Sequence, residues 1–322
     1  MYATVYRDLG IAAWDCRIAG MSAAAAWCAL RSGARLLPRS ADTQSGLAPL
    51  LRAATATPWA VISDLPGAIA WGLATSKGDP WAFNAHSAAT AGPGHLGAQM
   101  AREFAIGVHV PCAVAAACST GLYTLLAGAD RIAEGTCTRA LVGAADGALP
   151  GWLHAGFARM GVLCPSGDPR AGDEAPAEPG FVPAPGAGVV ALVAGAAPWR
   201  LVAGVRLGDA GHETHFTDPS TLTTALSSLW EVSPHPDVIV THTTGTLAGD
   251  AYELAGLADG PWRHSPWLML KPLIGHTLGA SGTVELALAL ESPARRLWKL
   301  SLGFGGHLAA VAIERWDVKS YR

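Results

Sequence analysis

An α/β fold is predicted from three features of the chain. Short β-rich apolar runs alternate with alanine-rich helical stretches, no tandem repeat or heptad array interrupts them, and of the 322 residues 50% are hydrophobic while 15% are charged. Such alternation packs helices against a sheet. In chain order, strands are expected at Ala140–Gly143, Gly188–Val193, Val238–Thr241, Trp267–Leu270, Lys299–Leu302 and Ala309–Ile313. Helices are expected over Ser119–Glu134, Asp250–Ala258 and Gly279–Glu291. In the first helix Leu122, Leu125, Leu126, Ala129 and Ala133 recur at helical spacing. The first sixty residues show no period clear enough to assign elements. Cys164–Gly188 carries six prolines and no periodicity, so it is expected to be a loop, either functional or a junction. A boundary between two halves, residues 1–197 and 198–322, is placed just after the strand that follows it.

Composition narrows the function. The 22 Lys plus Arg against 25 Asp plus Glu give a net charge of −3, which excludes binding to nucleic acid by bulk electrostatics. Half-apolar composition excludes a disordered chain. No run approaches the roughly 18 apolar residues of a membrane helix; Ala187–Trp199 reads as a buried strand and its exit. Arg7, Asp8, Asp15 and Arg17 leave no signal-peptide core near the N-terminus, so a cytoplasmic protein without membrane attachment is expected. The 6 cysteines form no CxxC pair, which argues against a zinc ribbon or a disulfide framework.

Four segments could carry chemistry. Cys118, in AAACSTG, follows the apolar run Val108–Ala117 and opens a helix, where the dipole favours a thiolate; a buried structural cysteine is the plainer reading. In VIVTHTTGTLAGDAYE (residues 238–253), His242 ends a β-rich run and so faces the crevice at a strand's C-terminal end; a core histidine is the alternative. In LMLKPLIGHTLGASGTVE (residues 268–285), Lys271 and His276 bracket a turn. In LSLGFGGH (residues 300–307), glycines around Phe304 form either a turn facing a ligand or a plain hairpin.

Taken together in this order, the four segments resemble the β-ketoacyl synthases of the thiolase superfamily. Cys118 matches the family's nucleophile. HTTGTLAGDAYE is similar to HGTGTxxGDxxE, with Thr243 for the first glycine, and KPLIGHTLGASGTVE keeps the spacing of the Lys…Gly-His…Gly-Ala-x-Gly…Glu motif. GFGG is shared, while GFVPAPGAGV and GDAGHETHFTDP are weaker echoes. The departures are a shorter chain than a typical condensing enzyme, an N-terminal third without the opening signature, and a short stretch between Glu285 and GFGG. Ala184 and Pro185 stand for Gly-Glu of GEGAG, and His307 and Leu308 for Thr-Asn.

The resemblance implies a thiolase-like fold of two pseudo-symmetric α/β halves in α-β-α-β-α layers, Cys118 in the first and His242, Lys271, His276 and GFGG in the second. It implies that Cys118 takes an acyl group from an acyl-carrier-protein thioester, and that His242 and His276 hold a malonyl thioester during decarboxylation. The amides of Cys118 and Phe304, in a turn with Gly305 that gates the pocket, would stabilise the oxyanion by about 3–4 kcal/mol per donor. Lys271 would sustain the field at His276, Glu285 would pair with that lysine, and Asp250 and Glu253 would support the His242 loop. The resemblance calls for no metal or redox cofactor, only substrates on a phosphopantetheine arm, and it implies a homodimer or heterodimer. A second reading is a chain-length-factor-like partner subunit of a ketosynthase, itself weakly catalytic or inactive; the retained cysteine favours the enzyme, in a fatty acid or polyketide system. A thiolase is disfavoured because no cysteine lies beyond Cys164.

Other signals fall away. His212-Glu213-Thr214-His215 is one residue short of the HExxH spacing. Gly186–Ala191 follows a proline-rich loop rather than a strand, unlike a dinucleotide fingerprint. Arg295, Arg296 and Lys299 form a basic cluster read as a solvated face, with an acidic carrier protein as the alternative partner.

Overall fold

The computed structural model describes residues 2–38, 47–80, 92–168 and 178–316. The first half runs β1 (Thr4–Val5), β2 (Leu9–Ile18), α1 (Ala23–Arg31), α2 (Leu47–Ile62), β3 (Ile69–Ala74), α3 (His95–Glu103), β4 (Val110–Pro111), α4 (Thr120–Ala133), β5 (Arg139–Asp146), α5 (Gly151–Arg159) and β6 (Gly186–Ala194). The second runs β7 (Trp199–Gly208), α6 (Pro219–Val232), β8 (Val238–Val240), α7 (Leu247–Ala258), β9 (Trp267–Leu268), α8 (Lys271–Ile274), α9 (Ser281–Leu290), β10 (Arg296–Gly303) and β11 (His307–Arg315).

Strand order shows the relation between the halves. It is β4-β3-β5-β6-β2-β7-β11-β10-β8-β9, with β1 added to β7. Setting β1 aside, each half reads outward from the centre as its first, fifth, fourth, second and third strand. The senses repeat too: β6 is antiparallel to β2 and β5, as β11 is to β7 and β10. β3 is parallel to β4 and β5, as β8 is to β9 and β10. The halves meet where β2 and β7 pair only at Gly10–Arg200 and Ile11–Trp199.

Apolar patterning then builds the layers. α4 and α9 lie in the middle and touch strands of both halves. Every residue of α9 is buried, which is why its sequence is apolar all round rather than on one stripe. Outside the first half, Leu47 and Leu51 of α2 and Met100 of α3 cover Trp71, Leu141 and Val189. Outside the second, Leu222 and Leu229 of α6 and Leu257 of α7 cover Val205, Trp298 and Ala310. These are the α-β-α-β-α layers that the resemblance implies.

The expected elements overlap the observed ones, with ends shifted by one or two residues in several. Gly186–Gly188 are strand rather than loop, because β6 begins there, and residues 169–177 of the expected loop lie outside the described residues. The expected strand over Trp267–Leu270 ends at Leu268. A 3-10 turn over Leu278–Ala280 precedes α9. Among the described residues no helix is long and apolar enough to cross a membrane.

Candidate active site

The two middle helices begin alike. Each is preceded by a non-glycine residue in the left-handed region, Ala117 (φ 45°) before α4 and Leu278 (φ 48°) before α9. A backbone of this kind costs on the order of 1–3 kcal/mol and persists only where its surroundings hold it. At Ala117 they do: Thr120 Oγ1 accepts from the Ala116 amide at 2.9 Å and donates to the Ala117 carbonyl at 2.8 Å. Ser119 Oγ donates to the His307 carbonyl at 2.7 Å, tying the turn to β11. The turn presents Cys118 just ahead of α4, packed with Phe181 and Leu278. Gly303, ending β10, lies so close that a Cβ there would come within 2.7 Å of the Ala116 carbonyl and 3.2 Å of the Cys118 amide.

The helix terminus does not by itself decide the charge of Cys118. Burial pushes the thiol up to about 11, although Lys271, Lys77 and the Phe304 amide each pull it down. Desolvation of a full charge outweighs a partial dipole here.

His242 follows β8, and its backbone is gripped. Glu253 accepts from the amides of His242 (2.6 Å) and Thr243 (2.5 Å), and Lys271 Nζ donates to the His242 carbonyl at 2.5 Å. Asp250 accepts from the amides of Thr244 (2.8 Å) and Gly245 (2.9 Å), shaping the loop that follows. Burial raises the carboxyl of Glu253 and, less completely enclosed, that of Asp250. His276 is fixed by its amide donating to the Val182 carbonyl at 2.7 Å and by a 2.8 Å hydrogen bond between Nδ1 and Ser281 Oγ. Its ring meets Phe181 edge-on at 4.9 Å and the His242 ring at 5.5 Å. Both imidazoles are held well below their ordinary pKa, by burial first and by the Lys271 charge second, so both are neutral at pH 7. His242 Nδ1 is buried with no hydrogen-bond partner among the described residues.

Beneath the histidines, Glu285 lies between two lysines, 2.7 Å from Lys271 Nζ and 2.9 Å from Lys299 Nζ. Lys299 is wholly buried. The solvated basic face expected over Arg295, Arg296 and Lys299 is therefore corrected at Lys299 alone: Arg295, just ahead of β10, and Arg296 at its start are exposed, whereas Lys299 is in the core. The GFGG segment is both a hairpin turn joining β10 to β11 and a wall of the pocket. The Gly305 amide donates to the Glu213 carbonyl at 2.8 Å, which removes it as an oxyanion donor; the Phe304 amide is the one that reaches Cys118.

Cys118, His242, His276 and Phe304 line one open cleft of about 470 Å³, with Thr244, Thr246 and His215 toward its mouth. Lys271 and Glu285 stand behind it. Among the described residues no group of three metal-binding side chains converges, and His212 and His215 instead stack on each other at 3.9 Å.

The family model described as the β-ketoacyl synthase N-terminal domain matches residues 105–196, and the β-ketoacyl synthase C-terminal domain model matches residues 205–303. The chain belongs to the β-ketoacyl synthase family. Polyketide synthase ThaG of Burkholderia thailandensis is 32% identical over 201 residues, 55% of this chain and 3% of that protein. The 3-oxoacyl-[acyl-carrier-protein] synthase 2 of Vibrio cholerae is 28% identical over 202 residues, 56% of this chain and 48% of that protein. The matched part thus spans less than half of either relative. Among solved structures, the ketosynthase ApeO in complex with its chain length factor ApeC, from Xenorhabdus doucetiae, superposes with a TM-score of 0.80 at 19% identity, covering 96% of this chain and 98% of that one. At that identity the likeness shows the thiolase-like ketosynthase fold.

Sequence reasoning missed three residues of this β-ketoacyl synthase site. Asp146, at the end of β5, accepts from Lys77 Nζ (2.6 Å) and from the Gly279 amide (2.7 Å). A lone acid closing the apolar run ALVGAAD was its signal. Lys299 sits in the alternating strand LWKLSL, whose period of two puts it on the same face as the buried Ser301. Ser281, hidden in the GAS of a small-residue motif, carried no signal of its own.

Proposed function

We propose that this β-ketoacyl synthase carries out decarboxylative condensation in a fatty acid or polyketide system. The supporting observation is the convergence of Cys118, His242 and His276 on one cleft, both imidazoles neutral and the buried Nδ1 of His242 without a partner.

In this reading the Cys118 sulfur attacks an acyl thioester of a carrier protein. The carrier thiol leaves with the proton that Cys118 gives up, and an acyl-cysteine remains. The amides of Cys118 and Phe304 stabilise the tetrahedral oxyanion. A malonyl thioester then enters, its carbonyl oxygen facing the imidazoles. Where Ser281 donates to His276 Nδ1, the ring proton lies on Nε2 and can be donated to that oxygen. Carbon dioxide leaves, the enolate carbon attacks the acyl carbonyl, the C–S bond to Cys118 breaks, and the thiolate takes up one proton from solvent. Neutral imidazoles suit an enolate, because they donate hydrogen bonds without protonating it outright. No electron is transferred overall, so the scheme uses no redox cofactor. The phosphopantetheine arm of an acyl carrier protein brings the substrates, and a second ketosynthase-like subunit completes a homodimer or heterodimer.

Intact-protein mass spectrometry after incubation with an acyl-carrier-protein thioester tests this, wild type beside Cys118→Ala. An acyl adduct on the wild type alone is expected. No adduct here, with labelling only on a co-expressed partner, would overturn the reading in favour of a chain-length-factor-like subunit.

A further inference from the structure

Lys299 belongs to none of the motifs that carry the family resemblance, yet it is among the largest wholly buried side chains of the molecule. It lies on β10, paired in register with Val240 of β8 and Val311 of β11. Its three ammonium protons all find acceptors: the Thr241 carbonyl at 3.0 Å, Glu285 Oε2 at 2.9 Å and the Leu300 carbonyl at 2.6 Å. An ammonium has three donors and no acceptor, so this set is complete.

The consequence lies at His242. The carbonyls of Thr241 and His242 are held by Lys299 and Lys271 respectively, and both ammoniums are held by Glu285. From the other side Glu253 holds the amides of His242 and Thr243. The segment is thus gripped through its carbonyls by two cations and through its amides by one anion. The four buried charges, Lys271, Lys299, Glu285 and Glu253, sum to zero. Without Lys299 they would sum to −1 in a region closed to water, where an uncompensated charge is costly.

We propose that Lys299 is a positioning residue of this site: it balances the buried charges and, through the Thr241 carbonyl, sets where the His242 ring stands. Burial pulls its ammonium down to about 8, against the raising effect of Glu285, so it remains mainly charged at pH 7. The inference rests on the proposed condensation only for its link to rate; the placement of His242 can be read without activity.

A double-mutant cycle tests it. Lys299→Met keeps the length of the side chain and leaves one excess negative charge; Glu285→Gln leaves one excess positive charge; the double variant is balanced again. In wild type and all three variants, the His242 signal of ¹³C-histidine-labelled protein is followed by NMR, assigned with His242→Gln, alongside the melting temperature and the decarboxylation of malonyl-pantetheine. Each single variant is expected to move the His242 signal and to lower the decarboxylation rate about 10- to 100-fold, the scale of a misplaced catalytic group. The double variant is expected to lose much less than the product of the singles, and to melt above Lys299→Met. If Lys299→Met does not fold while the double variant does, the balance is supported directly. Independent effects, an unmoved His242 signal, or a double variant that folds no better than Lys299→Met would overturn the proposal and make Lys299 a core filler. Wild type inactive toward malonyl-pantetheine, with the NMR cycle still coupled, would instead sink the proposed function and leave the positioning role standing.

Discussion

The turn before α4 and the turn before α9 are the same backbone put to two uses. Ala117-Cys118-Ser119-Thr120-Gly121 and Leu278-Gly279-Ala280-Ser281-Gly282 occupy equivalent places in the two halves, and both start from a left-handed residue. In the first, the second position is Cys118, facing a cleft. In the second it is Gly279, whose absent Cβ would fall 2.7 Å from both Asp146 Oδ2 and Ser76 Cβ. The strand ends opposite them account for the difference. β10 ends in Gly303 beside Cys118 and leaves the side chain room; β5 ends in Asp146, which fills the matching space and accepts the Gly279 amide at 2.7 Å. Pseudo-symmetry therefore supplies two helix starts, and the residue at one strand end decides which of them is open to a substrate.

Removing Asp146 is the strongest way to break that comparison. Its carboxylate accepts from Thr75 Oγ1 (2.8 Å), Ser76 Oγ (2.7 Å), Lys77 Nζ (2.6 Å) and the Gly279 amide. Asp146→Ala leaves a mostly buried ammonium and a buried amide without this partner, at an expected cost of about 3 kcal/mol, toward the low end for a buried pair because Lys77 keeps some solvent contact. Urea unfolding of Asp146→Ala beside Asp146→Asn checks this, with the amide variant recovering part of the loss. A cost below about 0.5 kcal/mol, the range of surface substitutions, would mean that Gly279 alone closes the second half's turn.

A second measurement sharpens the claim that burial governs Cys118 even though its turn faces the cleft. A thiol with a pKa near 11 has a thiolate fraction that rises tenfold per pH unit far below that value. Alkylation of Cys118 by iodoacetamide, followed by mass spectrometry, should then rise about tenfold per pH unit from 7 to 9 with no plateau, since the thiolate is the nucleophile. Flattening near pH 8 would show that Lys271, Lys77 and the Phe304 amide outweigh burial in solution. Bound substrate brings its own dipoles, so this experiment addresses the empty cleft.

How far the sequence could be read followed the same division between local and assembled features. The later strands and the helices over Thr120–Ala133 and Ser281–Leu290 were legible because each keeps a period or an apolar run along contiguous residues. The first sixty residues were not. β2 is buried along both faces but carries Asp15 and Arg17, which pair with each other at 2.7 Å, and α2 contains Pro58. Both features read locally as interruptions, and only tertiary partners make them tolerable. Cys118, His242, Lys271 and His276 could be named from their motifs, whereas Asp146 and Lys299 could not. Asp146 and Lys299 act across sequence separations of 133 and 58 residues, on Gly279 and Thr241 respectively, and no local pattern reports such a meeting. Lys299 was misread for a related reason: adjacency to Arg295 and Arg296 suggested one face, but the strand's alternation divides it from Arg296.

The finest test compares the fourth residues of the two turns. Thr120 Oγ1 closes its own turn, bridging the Ala116 amide and the Ala117 carbonyl. Ser281 Oγ, its counterpart, reaches away from its turn to His276 Nδ1 at 2.8 Å and Thr277 Oγ1 at 3.2 Å. Thr120→Val should therefore cost stability, about 2 kcal/mol, because it strips two backbone groups of a partner beside a strained residue. Ser281→Ala should cost less, about 1 kcal/mol, because its partners are a ring nitrogen and a rotatable hydroxyl on Thr277 rather than two fixed backbone groups. The effects on His276 should run in the opposite order. Losing the Ser281 hydroxyl removes the group that, among the described residues, hydrogen-bonds Nδ1 of His276, so ¹⁵N spectra of histidine-labelled protein should show the His276 tautomers mixing in Ser281→Ala and unchanged in Thr120→Val. Equal stability losses with equal His276 spectra would mean that the two hydroxyls do the same work, and that the halves diverge only at Cys118 and Gly279.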